Sequence, residues 1–414
     1  MKALIVGGGG REHAVAWSLA RSPRVTSIIA APGNAGIAQI SRCTDTDLTP
    51  ENLLEIAKRE GADLTFVGPE APLVAGVVDL FEAEGLRIFG PTREAAQLEG
   101  SKRYAKDFMV RHGIPTARHE SFSELHAALE YLQSANFPTV IKDANLAAGK
   151  GVTIAQTFEE AKGAVESIFA SAESELVIED FLVGQEVSLL VFTDGKTAKP
   201  LLLAQDYKQA LEGDTGPMTG GMGTVAPAPL LDDAQMKEVT AQIIEPTLKG
   251  LREEGVKYKG VLFIGLMLTE AGVKVLEYNV RLGDPETQVV LPLLKTDLME
   301  ILEAVIDERL DEVGLEWSPQ HAACVVMAAP GYPGEYAKGL PLSVPLLPEN
   351  VTVFHAGTAL QAGRLVSAGG RVLGVTALEP TLARAIDSAY RAVDAIDFEG
   401  HYRRDIGRRL LTDE

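Results

Sequence analysis

Hydrophobic positions over residues 1 to about 90 fall into a repeating alternation of short apolar runs and longer amphipathic stretches. The runs Ala3 to Val6, Thr26 to Ala30, Leu64 to Val67 and Arg87 to Phe89 predict strands, and Arg11 to Arg21, Pro50 to Glu60 and Leu73 to Glu84 carry helical periodicity. Strand–helix repetition of this kind builds a parallel sheet covered on both faces. The predicted strand ends run into Gly7-Gly8-Gly9-Gly10-Arg11-Glu12, Pro32-Gly33-Asn34-Ala35-Gly36 and Gly68-Pro69-Glu70. Ligands bind at such ends in parallel sheets.

After Pro91 the pattern changes. A helical stretch with Lys102 and Lys106 leads to the turn Gly113-Ile114-Pro115, and a small unit at roughly 117 to 190 reads β-α-β-loop-β-α-β. Val177 to Leu182 is an apolar strand interrupted by Glu179-Asp180, followed by Gly184-Gln185-Glu186 and the run Val187 to Phe192. Residues 205 to 229 form a long polar segment rich in Gly, Thr and Met, which predicts an ordered active-site loop. Helical patterns follow at about 232 to 254 and 296 to 309, with strands at 260 to 269 and 273 to 281. A last unit spans roughly 322 to 414.

Composition narrows the class. A chain of 414 residues is too long for one ordinary core, and 46% hydrophobic with 23% charged residues is the balance of a soluble protein of two to four domains. No apolar run is long enough to span a membrane, and the amino terminus is unlike a signal peptide, so a cytoplasmic location is expected. Cys43 and Cys324 lie far apart without metal-binding companions and predict free thiols. A formal charge of −20 repels nucleic acid, which leaves a small anionic ligand held by a local concentration of Lys, Arg and backbone N–H.

Two stretches carry candidate chemistry. In Leu146-Ala147-Ala148-Gly149-Lys150-Gly151-Val152, preceded by Val140-Ile141-Lys142, the glycines let the backbone approach phosphate oxygens, while Lys142 and Lys150 supply charge. Ala144 and the absence of Ser or Thr after Lys150 exclude a Walker A loop; a glycine hairpin with solvated lysines is the competing reading. In Val275-Leu276-Glu277-Tyr278-Asn279-Val280-Arg281, strand alternation puts Glu277, Asn279 and Arg281 on one face and Leu276, Tyr278 and Val280 on a core face. A carboxylate and an amide oxygen so placed can ligate Mg²⁺, and Arg281 can hold a phosphate or carboxylate. The competing reading is a Glu277–Arg281 ion pair. Gly283-Asp284-Pro285-Glu286-Thr287-Gln288 follows directly with two more carboxylates. The first glycine loop matches a dinucleotide fingerprint only in part, since Glu12 stands at the third glycine position, yet a helix opening there still suits a phosphate.

The lysine-loop unit, the Glu-x-Asn-x-Arg strand and the amino-terminal βα unit together resemble the ATP-grasp ligases. More narrowly, Gly8-Gly9-Gly10-Arg11-Glu12-His13-Ala14, Pro32-Gly33-Asn34-Ala35-Gly36, Val67-Gly68-Pro69-Glu70-Ala71-Pro72-Leu73, Leu98-Glu99-Gly100-Ser101-Lys102, Asp214-Thr215-Gly216-Pro217 with Thr219-Gly220-Gly221-Met222-Gly223, and Arg281 with Gly283 to Gln288 resemble the glycinamide ribonucleotide synthetase (phosphoribosylamine–glycine ligase) family from residue 1 to about 410. The resemblance implies an α/β fold, α+β in its grasp part. It divides the chain into an N-terminal parallel-sheet domain (1–100), a central ATP-grasp domain (101–120 and 191–321), a small ATP-grasp lid (121–190) and a small C-terminal domain (322–414). It also implies a reaction in purine biosynthesis: ATP, glycine and 5-phosphoribosylamine give ADP, phosphate and glycinamide ribonucleotide through glycyl phosphate.

By that resemblance Lys102, Lys142, Gly149, Lys150 and Gly151 would serve the ATP phosphates, Glu179, Phe181 and Leu182 adenine, and Glu186 ribose. Glu277 and Asn279 would hold Mg²⁺, with Mn²⁺ as the alternative. Arg281 and Asp214 would face glycine or the acyl phosphate, making them with Lys142 the catalytic candidates. Gly10, Asn34, Glu70, Asp206, Gly220 and Gly221 would complete the phosphoribosylamine pocket. A monomer is expected, with transient contact to the amidotransferase that makes the labile amine. Two departures stand out: Phe263-Ile264-Gly265-Leu266-Met267 offers no further metal carboxylate, and Lys142-Asp143-Ala144-Asn145 replaces the more usual Lys-Ala-Asp-Gly. Rival readings are an ATP-grasp ligase for another carboxylate, a nucleotide-sensing regulatory protein and, third, a dehydrogenase.

Overall fold

The computed structural model describes residues 1–145, 151–170 and 174–411. Its amino-terminal sheet is parallel throughout, with strands in the order Arg42–Cys43, Ser27–Pro32, Lys2–Gly7, Leu64–Val67 and Ile88–Phe89. Ala3, Leu4, Ile5 and Val6 are all fully buried, as strands covered by helices on both faces must be. Helix Pro50–Glu60 begins on its proline and ends at Gly61, whose φ of 63° suits a residue without Cβ. The stretch expected as one helix from Leu73 to Glu84 is two, Glu70–Ala75 and Val77–Ala83, because Gly76 at φ 92° breaks the run. Strand order reverses beside Lys2–Gly7. The loops after Gly7 and Val67 therefore open into one crevice.

The small unit is a four-stranded antiparallel sheet, ordered His119–Phe122, Leu176–Asp180, Thr139–Asp143, Val152–Ala155. Helices Leu125–Leu132 and Phe158–Phe169 cover one face and close a separate small core around Leu132, Ile141, Val165 and Ile178. A second antiparallel sheet, ordered Ala198–Pro200, Gln185–Thr193, Gly260–Thr269, Gly272–Asn279, packs into the main core with helices Lys102–Arg111 and Glu245–Glu253. Its last pairing contains a bulge: Gly265 faces Glu277, but Leu266 faces Val275. Val275 thereby takes the core position, and Leu276, expected to point into the core, is half-exposed and lines the cavity described below.

Residues 205 to 229, expected as a loop, contribute strands Gln205–Asp206 and Gly223–Ala226 and the hairpin Gln209–Leu211/Thr215–Met218. Gly223–Ala226 pairs with His321–Ala328, giving a five-stranded antiparallel sheet completed by Arg371–Glu379 and Val351–His355 and backed by helix Leu382–Ala395. The hairpin is tied to the carboxy-terminal segment. Arg403, fully buried, binds Asp405 at 2.7 Å, Asp214 at 3.0 Å and the Gln209 carbonyl at 3.0 Å. Arg403→Met is expected to lower unfolding free energy by roughly 2–4 kcal/mol, since it strands the Asp405 carboxylate and the Gln209 carbonyl and leaves Asp214 to Arg409 alone. Denaturant unfolding checks this, and a loss within 0.5 kcal/mol or so would contradict it.

A histidine pair joins the first and last units. His13 Nδ1 accepts the His355 amide at 2.7 Å, and the two rings lie 5.6 Å apart. Burial, helped by the neighbouring His355, pushes His13 down to about 3, and burial pushes His355 down to about 4. Both values lie below the ordinary 6.5, so the fold favours the neutral rings. Stability from this pair is complete above pH 6.5 and is lost as pH falls towards 4 and then 3. His13→Asn is expected to flatten that acid limb in thermal melts from pH 7 to 4; an unchanged slope would contradict the assignment.

Candidate active site

A cavity of ≈ 500 Å³ lies where the small sheet, the central sheet and the amino-terminal loops converge. Its innermost feature is a carboxylate shared by two lysines. Glu179, next to last on the strand Leu176–Asp180, is 3% exposed and meets Lys142 at 2.9 Å and Lys106 at 2.9 Å. Burial would raise its pKa, but the two ammoniums override it and hold the carboxyl below its usual range. Lys142 also lies 3.3 Å from the Leu276 carbonyl, exposed by the bulge. Lys106 donates to Thr116 at 2.7 Å, and burial, only partly offset by Glu179, brings it down to about 8. Lys102 stands one helical turn before Lys106, starting a helix capped by Ser101, and reaches the Asn145 carbonyl at 3.0 Å. Burial lowers its pKa, against the pull of Glu277.

Across the cavity, Glu277 and Asn279 line the same wall, as their spacing predicts. Burial would raise Glu277, yet Lys208, Lys142 and Lys102 hold it at about 2, so it is ionised throughout the neutral range. Lys208 binds Glu186 and lies 3.7 Å from Glu277. Burial works against its charge, but Glu186, Glu277 and Asp206 raise its pKa strongly. Arg281 does not pair with Glu277. It binds Glu99 at 2.7 Å and Asn279 Oδ1 at 3.0 Å and faces Glu70 at 3.6 Å. Asp206 is raised well above its ordinary value by burial and by the charge of Glu286, which is itself raised by burial and accepts from Ser188 at 3.0 Å.

The residues present fit a hard divalent cation. Glu277 offers an ionised carboxylate and Asn279 an amide oxygen, and among the described residues no cluster of three His, Cys, Asp or Glu supplies a fuller cage. Such a half-set is what Mg²⁺ accepts when phosphate oxygens and water complete its shell.

The amino-terminal glycine loop departs from expectation. Glu12 Oε2 accepts the Gly9 amide at 2.6 Å and Asp284 the Arg11 amide at 3.3 Å, so carboxylates already occupy the helix start where a phosphate was expected. Gly68 leaves room for Glu12, since a Cβ there would fall 1.9 Å from Oε1. A dinucleotide pyrophosphate is thereby excluded from this helix end. Gly10 is buried against Gln288 and Asp284, and Asn34 is used up in joining the Gly8 and His355 carbonyls to the Gly36 and Ile37 amides.

Of the candidate residues, the structure brings Lys102, Lys142, Gly151, Glu179, Phe181, Leu182, Glu186, Glu70, Asp206, Gly220, Glu277, Asn279 and Arg281 to the cavity. Gly221 adjoins it, its φ of 113° setting the turn whose carbonyl, with that of Gly220, accepts from Arg371. Asp214 is exposed and bound by Arg403 and Arg409, in the hairpin beyond the cavity lining. Gly149 and Lys150 lie outside the described residues. Glu179 faces lysines where adenine was expected. Sequence reasoning gave no site role to Lys208, Lys106, Glu99, Glu286 or Arg371, although all but Arg371 stood in a quoted segment.

Two antiparallel sheets facing each other across lysines and a metal-competent wall define an ATP-grasp protein. A biotin carboxylase domain from Hydrogenobacter thermophilus, 17% identical, superimposes with a TM-score of 0.74 over 97% of this chain and 91% of that one, a likeness of fold. Family models described as phosphoribosylglycinamide synthetase match the N domain at residues 1–99, the ATP-grasp (A) domain at 100–287 and the C domain at 322–409. The chain belongs to the phosphoribosylglycinamide synthetase family. Similar proteins include the phosphoribosylamine–glycine ligases of Ralstonia nicotianae, 49% identical over 99% of this chain and 100% of that one, and Caldanaerobacter subterraneus, 46% identical over 98% and 99%. The crystal structure of the phosphoribosylamine–glycine ligase of Thermotoga maritima, 34% identical, covers 98% of this chain and 100% of its own with a TM-score of 0.86.

Lys142→Met is expected to weaken ADP binding at least about tenfold, the scale of one charge-assisted contact. Titration calorimetry measures it; unchanged affinity would remove Lys142 from the nucleotide site.

Proposed function

We propose that the chain ligates glycine to 5-phosphoribosylamine at the expense of ATP, giving glycinamide ribonucleotide, ADP and phosphate in purine biosynthesis. The observation that carries the reading is the convergence of Lys102, Lys142, Glu277, Asn279 and Arg281 on one cavity in a chain whose full-length relatives bear that activity's name. The cavity suits a reaction in which substrates supply all the bonds: the glycine carboxylate takes the γ-phosphoryl group, and the ribosylamine nitrogen then displaces phosphate. Proton loss from that nitrogen and positioning are what remain for the protein.

Lys142, held in place by Glu179, and Lys102 would bind the transferring phosphates. Phe181 and Leu182 offer apolar surface for adenine, and Glu186 an acceptor for ribose hydroxyls. Glu277 and Asn279 would hold Mg²⁺, or Mn²⁺ in its place, which when bound neutralises phosphate charge. Arg281, oriented by Glu99 and Glu70, would receive the glycine carboxylate or the acyl phosphate. Asp206, Glu70 and the Gly220-Gly221 turn would bound the phosphoribosylamine pocket. Asn34 and Gly10 support that pocket by shaping its loops, and Asp214 supports it by anchoring its hairpin. The division into units 1–100, 101–120 with 191–321, 121–190 and 322–414 belongs to the same reading. So do action as a monomer in the cytoplasm and handover of the labile amine from the amidotransferase that makes it.

The test is ADP release from purified protein with Mg-ATP and freshly generated phosphoribosylamine, with and without glycine. Release that needs both substrates and matches the product formed is the expected result, whereas release without glycine would point to another carboxylate. Glu277→Gln is expected to cut turnover at least about a hundredfold with an unchanged melting temperature. Near-normal turnover at saturating Mg²⁺ would refute its metal role.

A further inference from the structure

Lys208 sits where two carboxylates of different proposed duties meet. Its ammonium donates to Glu186 and stands 3.7 Å from Glu277 Oε1, while its own backbone is pinned: the Thr219 amide and hydroxyl both donate to the Lys208 carbonyl, at 2.8 and 2.7 Å. The preceding Tyr207 is buried beneath two guanidiniums, Arg409 at 4.2 Å and Arg403 at 5.1 Å from its ring centre. The main chain is therefore fixed and the flexible four-carbon stem is the part free to move. Without this ammonium, Glu186 and Glu277 would face each other across a half-buried cavity with Asp206 and Glu286 nearby.

We propose that Lys208 is the resident counter-ion of Glu277 and Glu186 in the nucleotide-free protein, and that it excludes free divalent cations so that metal enters as the metal–nucleotide complex. The inference rests on the reading of Glu277 as a metal ligand. A free aquated dication reaching Glu277 meets an ammonium already there, and repulsion between the two positive centres weakens its binding unless an anion arrives with it. A metal–triphosphate brings the anion with it. Glu277 then exchanges ammonium for metal, and Lys208 exchanges the Glu277 carboxylate for a phosphate oxygen, so neither of these two groups loses its counter-charge. A lysine suits this exchange better than an arginine fork, because it is a compact charge on a mobile stem.

The experiment measures Mn²⁺ binding by electron paramagnetic resonance without nucleotide, in the unaltered chain and in Lys208→Met, Lys208→Gln and Lys208→Arg, each shown folded by circular dichroism. Both neutral variants are expected to bind Mn²⁺ at least about tenfold more tightly, with Lys208→Arg as weak as the unaltered chain. The gain should vanish when Glu277→Gln is added. Unchanged Mn²⁺ affinity in a folded neutral variant overturns the proposal, and so does a gain that survives Glu277→Gln. If Glu277→Gln alone weakens Mn-ADP binding while the neutral variants gain nothing, the metal reading stands and the counter-ion inference fails. If Glu277→Gln leaves Mn-ADP binding untouched, both fail.

Discussion

A buried charge is stable only when another charge answers it, and around this cavity nearly every carboxylate has its cation. Glu179 answers Lys142 and Lys106, Glu186 and Glu277 answer Lys208, Glu99 and Glu70 answer Arg281, and Asp284 answers Arg371. Asp206 and Glu286 are the departure: burial pushes both towards the protonated form, and the charge of Glu286 pushes Asp206 further. The result is a wall of alternating sign inside a chain of net charge −20. A polyphosphate with its metal can enter such a wall by exchanging partners, where a uniformly basic pocket would have to stay unfolded or solvated when empty.

The architecture exists to bring these charges to one place. Lys142 and Glu179 come from the small sheet, Glu277 and Asn279 from the central sheet, and Glu70 from the crevice of the parallel sheet. Lys208 comes from a segment shared with the carboxy-terminal sheet. That sheet is held to the amino-terminal unit by the neutral His13–His355 contact and by Asn34, and to the Lys208 segment by Arg403 and Arg409. The carboxy-terminal unit thus shapes the cavity without lending it a nucleophile.

Much of this was legible where the determinants are local. Helix Pro50–Glu60 carries its own start and stop, and Glu277 and Asn279 share a wall because strand side chains alternate. The misses are non-local. Leu276 left the core because a bulge against Gly265 and Leu266 shifts the register, and no pattern within the strand announces that. Residues 205 to 229 read as a loop because their partner strand lies about a hundred residues on. Asp214 carried a motif's signature, but its partners are Arg403 and Arg409, so its geometry is that of an anchor. Glu12 was visible as a departure from a dinucleotide fingerprint; that it would cap its own helix needed the turn at Gly9.

The central claim is that the cavity positions substrates for phosphoryl transfer to a substrate carboxylate and contributes no nucleophile of its own. Isotope transfer tests it most directly: with glycine labelled by ¹⁸O in its carboxylate, the inorganic phosphate released in a complete reaction is analysed by mass. The account requires one labelled oxygen in each phosphate, carried over when the amine displaces it from glycyl phosphate. Phosphate without label would contradict it.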